Sequence, residues 1–139
     1  MTNSPRLIPE LDVSDLDTAL DFYTRVCGFD IRYQRVEEQF AMLDFAGAAL
    51  MLQSATGNGR RLRTAPLERP FGRGINLQIE VDDVDALHHR VAASDEIIVV
   101  PLEERWYGTD DGEVGNRQFV GADPDGYLLR FFEDLGSRV

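Results

Sequence analysis

Residues 79–87 read IEVDDVDAL, and nearly the same pattern stands at residues 11–17 as LDVSDLD. Val81-Asp82-Asp83-Val84-Asp85 echoes Val13-Ser14-Asp15-Leu16-Asp17 at a spacing of 68 residues. In both places an alternating run ends in capping residues and gives way to apolar residues at helical spacing. Before the first copy, Leu7, Leu11 and Val13 alternate with Ile8, Glu10 and Asp12, the period of a half-buried strand. After it, Leu16, Ala19, Leu20, Tyr23 and Val26 recur at helical spacing, and Ser14 with Asp17 has the form of a capping box. A helix is expected over about 15–26.

Three strand-like runs follow, DIRYQRV, QFAMLDF and ALMLQ, separated at Glu37-Glu38 and Ala46-Gly47, which makes residues 5–53 a βαβββ module. Residues 54–74, SATGNGRRLRTAPLERPFGRG, carry Gly, Pro and Arg without an apolar period and read as a linker. Residues 75–135 then restart the plan. The strand-turn-strand MLDFAGAALML echoes FVGADPDGYLLRF, Gly47 matching Gly126 at a spacing of 79 residues. The second copy carries an insertion of about eleven residues around PLEERWYGTDDGEVG. The expected fold is one α+β domain over 1–139, built from two tandem βαβββ modules whose curved mixed sheets form a trough.

Alternation states what lines that trough. Leu7, Leu11 and Val13, and likewise Ile75, Leu77, Ile79 and Val81, are expected to face the helices. The opposite faces then carry Ile8, Glu10, Asp12, Asn76, Gln78 and Glu80, with Ala49, Met51 and Gln53 on the last strand of the first module and Leu128, Arg130 and Phe132 on that of the second. Arg130 interrupts an apolar run. Either it pairs with Glu10 or Glu80, or it replaces a residue of another kind, and the two readings are compatible. Asp123-Pro124-Asp125-Gly126 reads as a structural turn before the last strand.

A formal charge of −11 disfavours nucleic acid and favours cationic ligands. Cys27 is the only cysteine, so an intramolecular disulfide and a cysteine-held zinc are both excluded. The first residues lack a charged start followed by an apolar core, and no run approaches membrane-spanning length. A cytoplasmic protein is expected. No serine, cysteine or lysine stands beside an evident base, and His88 and His89 are adjacent on a helix, where they diverge too far to chelate one ion and read as solvated.

Three segments together, LDVSDLDTALDFYTRVCGFDIRY, IEVDDVDAL and RQFVGADPDGYLLRF, resemble the vicinal oxygen chelate superfamily, which includes lactoylglutathione lyase, extradiol dioxygenases and the fosfomycin and bleomycin resistance proteins. The resemblance covers nearly the whole chain. It implies a trough in which metal-dependent members hold a divalent ion, at positions that fall here on Ile8, Met51, Asn76 and Arg130. Ile8 and Met51 supply no suitable donor, Asn76 is a weak one, and Arg130 brings a permanent positive charge where a glutamate would sit. No metal and no cofactor are therefore expected.

The branch that typically lacks these ligands is the bleomycin resistance proteins, which bind the drug without altering it and are commonly dimers. That resemblance implies a homodimer that sequesters a cationic aromatic glycopeptide. The residues expected to bind it are the aromatic plates Trp106, Tyr107, Phe40 and Phe119, the acidic Glu10, Asp12 and Glu80, and Asn76 and Arg130. Phe40 and Phe119, 79 residues apart, are equally explained as repeated core. The alternatives are a metal-dependent lyase, isomerase or dioxygenase of the same superfamily, and a binder or sensor of another small molecule.

Overall fold

The computed structural model describes residues 5–139. The chain divides into two compact units, the first reaching to Arg73 and including Pro124–Gly126, the second comprising Gly74–Asp123 and Tyr127–Val139. The first unit contains β1 (Glu10–Val13), α1 (Leu16–Asp21), β2 (Asp30–Arg35), β3 (Phe40–Phe45) and β4 (Ala48–Ser54). The second contains β5 (Asn76–Glu80), α2 (Val84–Ala92), β6 (Ile98–Thr109), β7 (Gly112–Ala122) and β8 (Leu128–Arg138). Each is βαβββ with a four-stranded mixed sheet, in the orders β1-β4-β3-β2 and β5-β8-β7-β6. β1 with β4 and β5 with β8 run parallel, and the remaining pairs are antiparallel. Among the described residues no helix is long and apolar enough to cross a membrane.

In the first unit Leu11, Val13, Ala41, Leu43, Leu50 and Leu52 are all buried, as are Ala19, Tyr23 and Val26 on the helical stripe. The helix starts at Asp15, not Ser14: the Asp15 carboxylate accepts from the Asp17 N–H at 3.2 Å and the Thr18 hydroxyl at 2.7 Å. Ser14 is occupied otherwise, its N–H donating to Asp125 Oδ2 at 3.0 Å. Asp83 repeats the Asp15 cap, accepting from the Ala86 N–H at 3.0 Å. Beyond Asp21 the helix loosens into a π-helical turn over Phe22–Val26, with Cys27 N–H donating to Phe22 O, and Gly28 closes it at φ +89°. Cys27 is buried there.

Leu7 and Ile75, expected to face the helices, precede the strands and are exposed, at 82% and 48%, so neither covers a helix. The insertion around residues 101–115 lengthens β6 and β7 into a hairpin turning at Asp110-Asp111. His88 is half-buried and meets the Phe119 ring edge-on at 5.0 Å, while its neighbour His89 is exposed.

Residues 54–74 are held down by their arginines. Arg61 donates to the carbonyls of Ala55, Gly57 and Gly59, and Arg63 pairs with Asp12 at 3.0 Å. Gly57 is required in this wrap, because a Cβ there would lie 2.9 Å from Glu38 O. Arg69 reaches the Asp125 carboxylate at 2.9 Å. Asp125 is 1% exposed and also takes the Ser14 N–H, so it joins the helix start, the linker and the turn within the first unit. Asp125→Ala is expected to lower unfolding free energy by roughly 1–3 kcal/mol, since it empties a buried position and takes their acceptor from the Ser14 N–H and from Arg69. Urea unfolding of the variant checks this; a loss below about 0.5 kcal/mol, as for a surface substitution, would contradict it.

Candidate functional site

Pairing register defines the second face of each sheet. In the first unit Glu10 stands beside Met51, Met51 opposite Met42, Phe40 opposite Gln53, and Arg35 opposite Phe40. Phe40, Met42 and Ala49 form a buried cluster against which Ile8 and Met51 pack. The Arg35 guanidinium lies 4.0 Å from the Phe40 ring centroid and also pairs with Glu38 at 2.6 Å. Gln53 is buried and donates to Arg60 O at 2.6 Å. Of the polar residues here, Asp12 is engaged by Arg63, whereas Glu10 has no ion pair among the described residues.

Partial desolvation on the sheet face, and after it the neighbouring Asp12 carboxylate, holds the Glu10 carboxyl above its ordinary range, against the opposing pull of Arg35 and Arg61. A raised carboxyl binds its proton more tightly in the folded chain. Its ionisation therefore opposes folding once pH passes the unfolded value, and fully so above the folded one. Glu10→Gln is expected to raise the melting midpoint at pH 7 and to leave it unchanged below about pH 4. Melting curves at both pH values check this, and a variant less stable than the parent at pH 7 would contradict it.

In the second unit Gln78 stands beside Arg130, Arg130 opposite Val120, Gln118 opposite Phe132 and Glu103 opposite Gln118. A polar chain crosses this face. Asn116 Nδ2 donates to Gln118 Oε1 at 3.4 Å, and Gln118 Nε2 donates to Glu103 Oε2 at 3.0 Å and to the Tyr107 hydroxyl oxygen at 2.6 Å. Arg130 donates through Nη2 to Gln78 Oε1, and its Nε is buried without a partner. Such an unmet donor costs about 1–3 kcal/mol. Arg130 forms no ion pair among the described residues, so neither Glu10 nor Glu80 is its partner.

The expected site residues therefore separate. Asn76, Glu80, Tyr107 and Arg130 lie on the second unit's face, with Asn76 and Glu80 exposed on β5. Glu10, Asp12 and Phe40 lie on the first unit's face. Trp106 projects oppositely to Tyr107: it crosses from Gly115, where any Cβ would strike the indole at 2.7 Å, and lies under the Arg138 guanidinium at 3.9 Å. Phe119 is fully buried between His88 and Phe131, on the helix side, and is not available to a ligand.

The repeat explains the Phe119 error. Met51 and Arg130 are equivalent, but four residues separate Asp44 from its partner Ala49 whereas five separate Ala122 from Leu128. The extra turn residue moves the equivalent of Phe40 from Phe119 to Gln118, on the opposite face. Gln118 and Glu103 were not legible as site residues, because register shifts between Ile98, Val100 and Glu103 break simple alternation along β6.

A family model described as the Glyoxalase/Bleomycin resistance protein/Dioxygenase superfamily matches residues 9–131. The chain belongs to that superfamily. Among solved structures it is similar to TioX from Micromonospora sp. ML1, at 28% identity, covering 95% of this chain and 100% of that one with a TM-score of 0.68. A protein of unknown function from Agrobacterium tumefaciens str. C58 is 25% identical over 97% of this chain and 98% of its own, with a TM-score of 0.70. A glyoxalase/bleomycin resistance protein from Streptomyces sp. CB03234 is 25% identical over 91% and 97%, with a TM-score of 0.62. No curated protein matches the chain.

Ile8, Met51, Asn76 and Arg130, the positions that the resemblance assigns to a metal, do not offer a donor set for a divalent ion. Ile8 and Met51 are spent on packing around Phe40 and Met42, and Arg130 places a cation beside Gln78. Elsewhere, Asp83, Asp85 and Glu133 bring oxygens within 4.8 Å of one another. Each is already in use: Asp83 caps α2, Asp85 pairs with Arg117 at 2.7 Å, and Glu133 accepts from the Val84 N–H at 2.7 Å. Arg117 lowers the Asp85 carboxyl from its ordinary value through that hydrogen bond.

Proposed function

We propose that this chain is a binding protein, acting without metal or catalysis, that sequesters a cationic, flat aromatic antibiotic of the bleomycin type in the cytoplasm as a homodimer. The observation that carries the reading is the content of the four metal positions, where two side chains pack as core and a third is an arginine. Such positions hold a shape and not an ion.

Further features support a ligand of this chemistry. Tyr107 and Phe132 sit on the Arg130 face and are half-buried, which leaves ring surface for stacking worth about 0.5–1.5 kcal/mol each. Glu80 and Glu10 are exposed carboxylates on the two faces, and the formal charge of −11 draws cations from a distance. Phe40 contributes less to stacking, since Arg35 already covers its ring.

Calorimetric titration with metal-free and with copper-loaded bleomycin tests the proposal. Submicromolar binding near one drug per chain, weakened by salt, is the expected result, and absence of heat at ~100 μM would remove the antibiotic while leaving the fold. Tyr107→Phe is expected to retain binding and Tyr107→Ala to weaken it about 3–10-fold. Equal affinity of both variants would show that the Tyr107 ring does not meet the drug.

A further inference from the structure

The sheet face of the second unit that carries Arg130 contains a cation with no carboxylate partner among the described residues. Among the described residues eight arginines form ion pairs: Arg25, Arg32, Arg35, Arg63, Arg69, Arg73, Arg117 and Arg138. Arg61, outside that set, spends its guanidinium on three backbone carbonyls. Arg130 has one acceptor, the amide oxygen of Gln78, and a buried Nε–H with none. The chain has twenty-five acidic residues, and among the described residues none of them pairs with Arg130.

Its surroundings narrow the missing partner. Arg130 is on β8 between β5 and β7, and Leu128 and Phe132 flank it along the same strand face, with Val120 across. Of the carboxylates on that face, Glu103 is already bound by Gln118 and Glu80 is exposed on β5. The guanidinium is thus half-buried between apolar and ring-bearing side chains on one side and the polar chain on the other, where a hydrogen bond to oxygen is stronger than in water. A flat ring over Phe132 and Val120 that carries an oxygen in its plane satisfies the donor and the surface together.

We infer that Arg130 is the specificity-determining residue of this face, and that its guanidinium, turning to expose the unpartnered Nε, receives a carbonyl or carboxylate oxygen borne by the aromatic part of the ligand. The inference rests on the ligand-binding reading above and adds to it an acceptor oxygen that the ligand must carry. A cationic tail is compatible with it, since tail and ring oxygen meet different groups.

The test uses the whole chain labelled with 15N and three probes: naphthalene-2-carboxylate, naphthalene-2-carboxamide and 2-methylnaphthalene. The Arg130 Nε–H resonance is identified by its loss in Arg130→Lys. Both oxygen-bearing probes are expected to move it downfield and slow its exchange with water, and 2-methylnaphthalene to leave it in place. Arg130→Lys and Arg130→Gln are expected to weaken the oxygen-bearing probes by about ten-fold or more, with 2-methylnaphthalene unaffected. Stronger binding of the carboxylate than of the carboxamide identifies an anionic acceptor, and equal binding a carbonyl. Equal affinity of all three probes, a stationary Nε–H signal at saturation, or no binding of either oxygen-bearing probe would overturn the inference, and the wild-type spectra decide even if the variants fail to fold. Bleomycin titration of the wild type is scored separately. Drug binding without probe binding removes the role of Arg130 alone, and the converse removes the antibiotic alone.

Discussion

Parallel pairing of the first strand of each unit with its last is the constraint on which the architecture depends. A parallel partner cannot be reached by a tight turn, so the chain must cross over, and α1 and α2 make the first part of that crossing. One face of each sheet is thereby committed to core. The other face receives two neighbouring columns in fixed register, Glu10 beside Met51 and Gln78 beside Arg130. What those columns contain decides what the protein is able to bind.

The two faces have diverged although their backbones repeat. In the first unit Met51 is folded into an apolar cluster with Phe40 and Met42, and Asp12 and Gln53 are taken up by a linker arginine and the linker backbone. In the second, a hydrogen-bonded chain of Asn116, Gln118, Glu103 and Tyr107 lies next to an unmatched guanidinium. The first is arranged for packing, whereas the second presents side chains held by directed hydrogen bonds.

Much of the fold was legible in the sequence, because the repeat is written in residues whose chemistry is local. The repeated Val-x-Asp-x-Asp pattern marks the starts of equivalent helices, alternation marks β1 and β5, and Gly47 and Gly126 sit at equivalent turns with φ of +93° and +94°. The same repeat relates Ile8 to Asn76 and Met51 to Arg130, and the pairing of Glu10 with Met51 and of Gln78 with Arg130 keeps those spacings. What was not legible depends on contacts distant in the chain. One extra turn residue turned Phe119 away from the open face, and bulges in β6 concealed Glu103. Ser14 lost its role as cap to Asp15 because its backbone is engaged by Asp125, 111 positions away.

Metal content tests this view most directly. Protein purified without chelator is subjected to elemental analysis and then titrated with Zn²⁺, Ni²⁺, Mn²⁺ and Fe²⁺ while the melting midpoint is followed. Side chains such as Ile8, Met51 and Arg130 predict substoichiometric metal and no saturable shift with any ion. One tightly held ion per chain, with a midpoint that rises to saturation and loses the rise on Asn76→Ala, would contradict it.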